Sequence, residues 1–181
     1  MERLTHRLLL GWALYGALTL ATVLLLLWYR GVFLPCRSSR TAQAELGGRP
    51  CTLTLENGAF AVQDGKTELW RSEAALRVQD FLTLDIDRDG ETELVLLVWR
   101  RGNYGPSKPF WVRRNDTNWS QHLFIYNWQN NAPAPQWMSS ALRPQVKAWA
   151  AQPDGQLQIT TPQGEETQWR WGQWGLVRTD A

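Results

Sequence analysis

The run from Leu8 to Tyr29 holds 22 consecutive residues without a charged side chain, among them Leu8-Leu9-Leu10 and Val23-Leu24-Leu25-Leu26-Leu27. No other feature so narrows what the chain can fold into. A single segment in hydrocarbon must satisfy its own backbone amides, and only a helix does that. At 1.5 Å per residue the helix is about 33 Å long, enough to cross a bilayer core with slight tilt. Trp28 and Tyr29 stand where interfacial aromatics belong. A cleavable signal peptide is the competing reading. It calls for a shorter apolar region followed by a small-x-small site, and Trp28-Tyr29-Arg30-Gly31-Val32-Phe33-Leu34-Pro35 supplies none. Phe33-Leu34-Pro35-Cys36 also puts large residues where a lipobox needs small ones. The expectation is an uncleaved anchor over 8–29, a cytoplasmic N-terminus over 1–7 and a juxtamembrane linker over 30–50.

Beyond residue 50 the chain has room for one domain, and its chemistry concentrates in Asp85-Ile86-Asp87-Arg88-Asp89-Gly90-Glu91-Thr92-Glu93. Five carboxylates in nine residues repel one another unless a cation sits among them. Side-chain oxygens of Asp85, Asp87, Asp89 and Glu93 with the backbone carbonyl of Glu91 suit a hard cation that takes six to eight oxygens, which is Ca²⁺. Gly90 permits the sharp turn that folds such ligands inward. An EF-hand needs an acid at position 12 of the loop and a helix on each side; position 12 is Leu96. The flanks Phe81-Leu82-Thr83-Leu84 and Leu94-Val95-Leu96-Leu97-Val98-Trp99 are short, apolar and rich in β-forming residues, so they predict buried strands.

A strand, DxDxDGxxE, then a second strand resembles the calcium loop of FG-GAP/VCBS repeats. The resemblance covers about 20 residues closely and the unit 51–101 more loosely, with Glu93 where integrin repeats usually carry Asp. It implies an integrin-like propeller-blade unit that holds Ca²⁺. The bland alternative is an acidic turn between two strands.

Orientation follows from other features. Arg3 and Arg7 precede the span and Arg30, Arg37 and Arg40 follow it, so the positive-inside count does not favour an outward C-terminus. Calcium is abundant outside cells, and the two cysteines, Cys36 and Cys51, bracket a polar stretch that a disulfide would close into a 16-residue loop. Both point to an extracytoplasmic domain; two unrelated thiols are the alternative. Redox and zinc motifs are lacking.

The net charge of +2 says little as a total. The stretch 100–114 carries Arg100, Arg101, Lys108, Arg113 and Arg114 with three aromatics and no acid, a patch suited to an anionic ligand, unless it is a solvated connector. Asn115 and Asn118 open glycosylation sequons that matter only in a eukaryotic source.

After residue 50, turn signals at Asn57-Gly58, Asp64-Gly65, Asp154-Gly155 and Gln163-Gly164 separate alternating runs such as Leu53/Leu55, Phe124/Tyr126/Trp128, Leu157/Ile159 and Trp169/Trp171. This is an all-β domain. Trp70-Arg71-Ser72 recurs as Trp137-Met138-Ser139, an offset of 67, and Asp89-Gly90 recurs near Asp154-Gly155, an offset of 65. The pattern predicts two propeller-blade-like units of antiparallel strands, 51–101 with the calcium loop and 121–181 without it, joined by a basic aromatic connector over 102–120. Two blades cannot close a ring, so two small sheets packed face to face are expected. Twelve tryptophans suit either a β core or sugar-stacking platforms, the cluster Trp169, Trp171 and Trp174 most of all.

No catalytic motif is present, so an enzyme is not expected, and His122 reads as a strand-start surface residue. The sequence thus leads to a single-pass cell-membrane protein. Its extracytoplasmic calcium-binding β domain acts in protein interaction or scaffolding, and a glycan- or anionic-polymer-binding module of the cell envelope is the alternative. Nothing suggests nucleic acid as a partner.

Overall fold

The uncharged run forms a helix, α1 (Glu2–Tyr29), in a computed structural model that describes residues 2–102 and 117–179. Its part Leu10–Tyr29 is long and apolar enough to cross a membrane, and none of it is buried. The hydroxyls of Thr19 and Thr22 donate to the carbonyls of Tyr15 and Leu18, so two polar side chains are satisfied within the helix itself. Gly31 ends the helix. With φ at 70° it lets the Val32 amide reach the Leu27 carbonyl and its own amide reach Trp28, a Schellman stop that costs little only at glycine.

Residues from Pro35 onward form a separate unit, with twelve strands among its described residues. The first sheet comprises β1 (Ser39–Leu46), β2 (Arg49–Glu56), β3 (Ala59–Asp64) and β4 (Thr67–Arg71). The second comprises β5 (Arg77–Leu84), β6 (Glu93–Arg101), β7 (Trp119–Gln129) and β8 (Ala132–Met138). The third comprises β9 (Ala148–Ala151), β10 (Leu157–Thr160), β11 (Glu166–Gly172) and β12 (Gly175–Arg178). Each is an antiparallel meander with its strands in chain order. Tight turns make this possible: Asn57 and Gly58, with φ of 50° and 83°, join Glu56 to its partner Ala59 in the two-residue hairpin that the Asn-Gly signal predicts.

Two cores hold the sheets together. Leu53, Leu55, Phe60 and Val62 of the first sheet meet Leu94, Leu96, Val98, Phe124 and Tyr126 of the second. The opposite face of the second sheet, with Val95, Leu97, Leu123 and Ile125, meets Leu157 and Ile159 of the third. The second sheet is therefore the middle layer. That is why Leu94–Trp99 reads as an unbroken apolar run while β2 and β10 alternate. Asp80 of β5 pins all three layers: Arg40 of the first sheet pairs with it at 3.2 Å, and the Trp149 indole of the third donates to it at 2.7 Å.

Three sheets replace the two expected units, with different boundaries. The span 51–101 is divided between the first and second sheets, and 121–181 between the second and third. Residues 39–46 of the supposed linker are strand β1. The Trp-x-Ser repeat nevertheless marks equivalent places. The Ser72 amide donates to the Phe60 carbonyl and its hydroxyl accepts from the Phe60 amide; Ser139 makes the same two bonds with Leu123. Thr179, whose amide donates to the Gln168 carbonyl, ends β12 in the corresponding way.

The Cys36–Cys51 disulfide is not formed; both thiols are free and buried. Cys36 packs beside Gly58 at one end of the β2–β3 hairpin, while Cys51 lies at the other end, paired with Ala44. The five steps from Cys51 to Glu56 span roughly 17 Å of strand, well beyond the ~7 Å over which a bridge can close. Burial pushes the Cys36 thiol up to about 12, so it stays protonated.

Candidate metal centre

The acidic loop is the turn between β5 and β6 in the middle sheet. Alternation along it divides its labour. Ile86 is 1% exposed and plugs into the second core, which fixes the loop from below, while Asp85, Asp87 and Asp89 turn the other way. One carboxylate oxygen from each of the three lies within 4.8 Å of the others. The loop's own amides hold them there. Asp85 accepts from the amides of Asp89 at 3.1 Å and Gly90 at 3.0 Å, and Asp89 accepts from Glu91 at 2.8 Å. Gln136, on β8, donates its amide nitrogen to Asp87 at 2.6 Å.

Glu93 is placed differently from the other expected ligands. It is 1% exposed, at the start of β6, and accepts from the Ile86 amide at 2.9 Å. Burial pushes its carboxyl up to about 7; the Ile86 hydrogen bond opposes this, and Asp87, Asp89 and Asp85 add to the rise. It is close enough to the three aspartates to feel their charge but is not one of the oxygens gathered within 4.8 Å. The Glu91 side chain is exposed, as suits a residue expected to offer only its carbonyl. Leu96, fully buried in β6, has no part in the loop.

Sequence reasoning missed the loop's neighbours. The Arg88 guanidinium donates to the Asp154 carbonyl, and a Cβ on Gly155 would stand 3.0 Å from the Asp85 carbonyl oxygen. The first turn of the third sheet thus packs on the first turn of the second, with a cavity of about 370 Å³ between them. Asp154-Gly155 is legible in sequence as a counterpart of Asp89-Gly90, but not as its contact. Gln136 carries no sequence signal, being 49 residues from Asp87.

Elsewhere, Arg100 lies over the Phe124 ring at 5.9 Å and Arg101 over Trp119 at 4.9 Å. Lys108, Arg113 and Arg114 of the same expected patch lie outside the described residues. Trp169 and Trp171 pack against the second core, whereas Trp174 is 86% exposed on the β11–β12 turn. His122 is no surface residue: it is 2% exposed in mid-strand, bonded to the Ser139 carbonyl at 3.0 Å and the Ser120 hydroxyl at 2.9 Å. No family model, no curated protein and no solved structure matches the chain.

Proposed function

We propose that the chain is a single-pass membrane protein whose β domain lies outside the membrane, is stabilised by Ca²⁺ at the β5–β6 loop, and acts in interaction or scaffolding. The observation that carries this reading is the gathering of Asp85, Asp87 and Asp89 within 4.8 Å. Three carboxylates so placed favour a cation in their midst, which would relieve their mutual repulsion and the pressure their charge puts on the buried Glu93. Oxygen-only donors disfavour a soft metal, and a set of carboxylate and backbone oxygens suits Ca²⁺, whose coordination is tolerant, better than Mg²⁺, which demands near-ideal octahedral geometry. Asp85, Asp87 and Asp89 would hold the ion, with the Glu91 carbonyl and Glu93 completing the protein's share.

The apolar helix supports a membrane anchor, and the high calcium outside cells supports an outward domain. Free thiols withdraw the support that a disulfide would have lent to that orientation. Among the described residues the eight-residue edge strand β1 pairs on one side only, which offers a place where a partner's strand could add.

Thermal unfolding of the full chain tests the metal reading. Binding to the folded state alone raises the melting temperature by mass action, so millimolar Ca²⁺ should raise it over chelator and Asp87→Ala should abolish the rise. Identical melting curves in Ca²⁺ and chelator would contradict it.

A further inference from the structure

The face of β6 and β7 that carries the first core runs on past its cover and opens into a groove of two lobes. One, of about 470 Å³, is walled by Trp70, Leu76, Tyr126, Pro133 and Pro135. The other, also about 470 Å³, lies among His122, Ser139, Ser140 and Arg143. Arg100 and Met138 line both, so the lobes meet there. The first lobe is mainly apolar and the second mainly polar, and each falls within the 300–1,000 Å³ or so usual for small-ligand clefts.

Three donors face the groove without a protein acceptor for their side chains among the described residues. Tyr126 is 7% exposed, yet its hydroxyl makes no hydrogen bond among the described residues. The hydroxyl oxygen itself is not sealed in the core and faces the groove, where a ligand oxygen can accept from it. Burial pushes this phenol up to about 12, with Glu73 adding to the shift and Arg100 opposing it, so it remains a donor at neutral pH. The half-buried Arg100 guanidinium stands over the Phe124 ring and meets no carboxylate among the described residues. Arg143, exposed at the far end, likewise meets none. Against these, Glu73 is the single acid among the described residues lining either lobe. Phe124 and Tyr126 are too buried to serve as platforms for a sugar ring.

We propose that this groove binds a small amphiphilic carboxylate: a ring or short chain lodges between Trp70 and the β8 prolines, and the carboxylate sits at Arg100, flanked by Tyr126 on one side and Arg143 on the other. A guanidinium is the side chain best shaped for a carboxylate, and partial burial strengthens the pair. The proposal uses none of the residues assigned to calcium.

The test is isothermal titration of the full chain in phosphatidylcholine nanodiscs, with empty nanodiscs subtracted. The probes are phenylalkanoates from phenylacetate to 6-phenylhexanoate, together with 4-phenylbutyramide. At least one carboxylate should bind saturably at one per chain. The amide should bind about tenfold more weakly than 4-phenylbutyrate, as loss of a charge-assisted pair implies. Arg100→Gln should weaken binding by a similar factor. Arg143→Gln, at an exposed site where folding is not at stake, should weaken it by a smaller one. Absence of saturable binding by every carboxylate, equal binding of acid and amide, or indifference to both arginine substitutions would each overturn the proposal. So would heat that merely tracks the amount of lipid.

Discussion

Ser72 and Ser139 each stop an outer strand by offering a hydroxyl to a buried amide two strands' length away in sequence. Phe60 is fully buried and Leu123 is 2% exposed, so neither amide has water to fall back on. Ser72→Ala and Ser139→Ala should therefore each cost about 1–3 kcal/mol in urea unfolding, the usual penalty for stranding a buried donor. Thr179→Ala, at an exposed strand end, should cost under about 0.5 kcal/mol. His122 gives the domain a pH dependence. Burial, with Arg100 adding to it, lowers its pKa below the usual 6.5, against the pull of the Ser139 and Ser140 carbonyls. Below pH 6.5 the unfolded chain then takes up a proton that the folded chain resists, so stability falls as pH drops through that value. Glu93, whose carboxyl is raised, works in the opposite sense over the same range. The His122 share is therefore read as a difference: between pH 8 and 5 the denaturant midpoint of the parent should fall more, or rise less, than that of His122→Gln, and equal slopes would assign the dependence to other groups.

At the scale of elements, the β5–β6 loop is held by its own hydrogen bonds and also by the β9–β10 turn that packs on it. Gly155 and Gly164 both adopt positive φ, 75° and 85°, but only Gly155 is crowded, by the Asp85 carbonyl; Gly164 has open space. Alanine at either should cost about 1 kcal/mol or more for its backbone conformation. Gly155→Ala alone should also raise the Ca²⁺ concentration needed for the melting shift, because its methyl displaces Asp85. Equal calcium midpoints in the two variants would uncouple the turn from the loop. The acidic triad and its flanking strands were legible because they are local, nine residues between two apolar runs. The turn that packs on them was not, since sheet stacking decides it. The number of sheets was misread for a related reason. The Trp-x-Ser offset relates the first sheet to the second, and the Asp-Gly offset relates the second to the third. Being nearly equal, they looked like one duplication. Strand β1 hid because Ala42 and Ala44 supply its inward face, too small to stand out as alternation. The cysteine spacing suggested a loop to be closed, but β1 and β2 run between the two thiols and hold them at opposite ends of a hairpin.

For the molecule as a whole, three stacked meanders bury the centre of the middle sheet on both faces, and the acidic loop sits at the rim where that sheet meets the third. A cation there would tie the loop's Ile86 more firmly into the second core, so the metal and the layering are expected to stabilise each other. His122, the Trp-x-Ser caps and the Asp80 pins act without it. The account stands or falls on whether the loop takes up calcium. Calorimetric titration of the chelator-treated full chain with CaCl₂ measures this most directly. One Ca²⁺ should bind per chain, Mg²⁺ should bind more weakly, and Asp85→Asn with Asp89→Asn should abolish the heat while the fold persists by circular dichroism. No saturable heat up to millimolar Ca²⁺, or undiminished binding in the double variant, would contradict it.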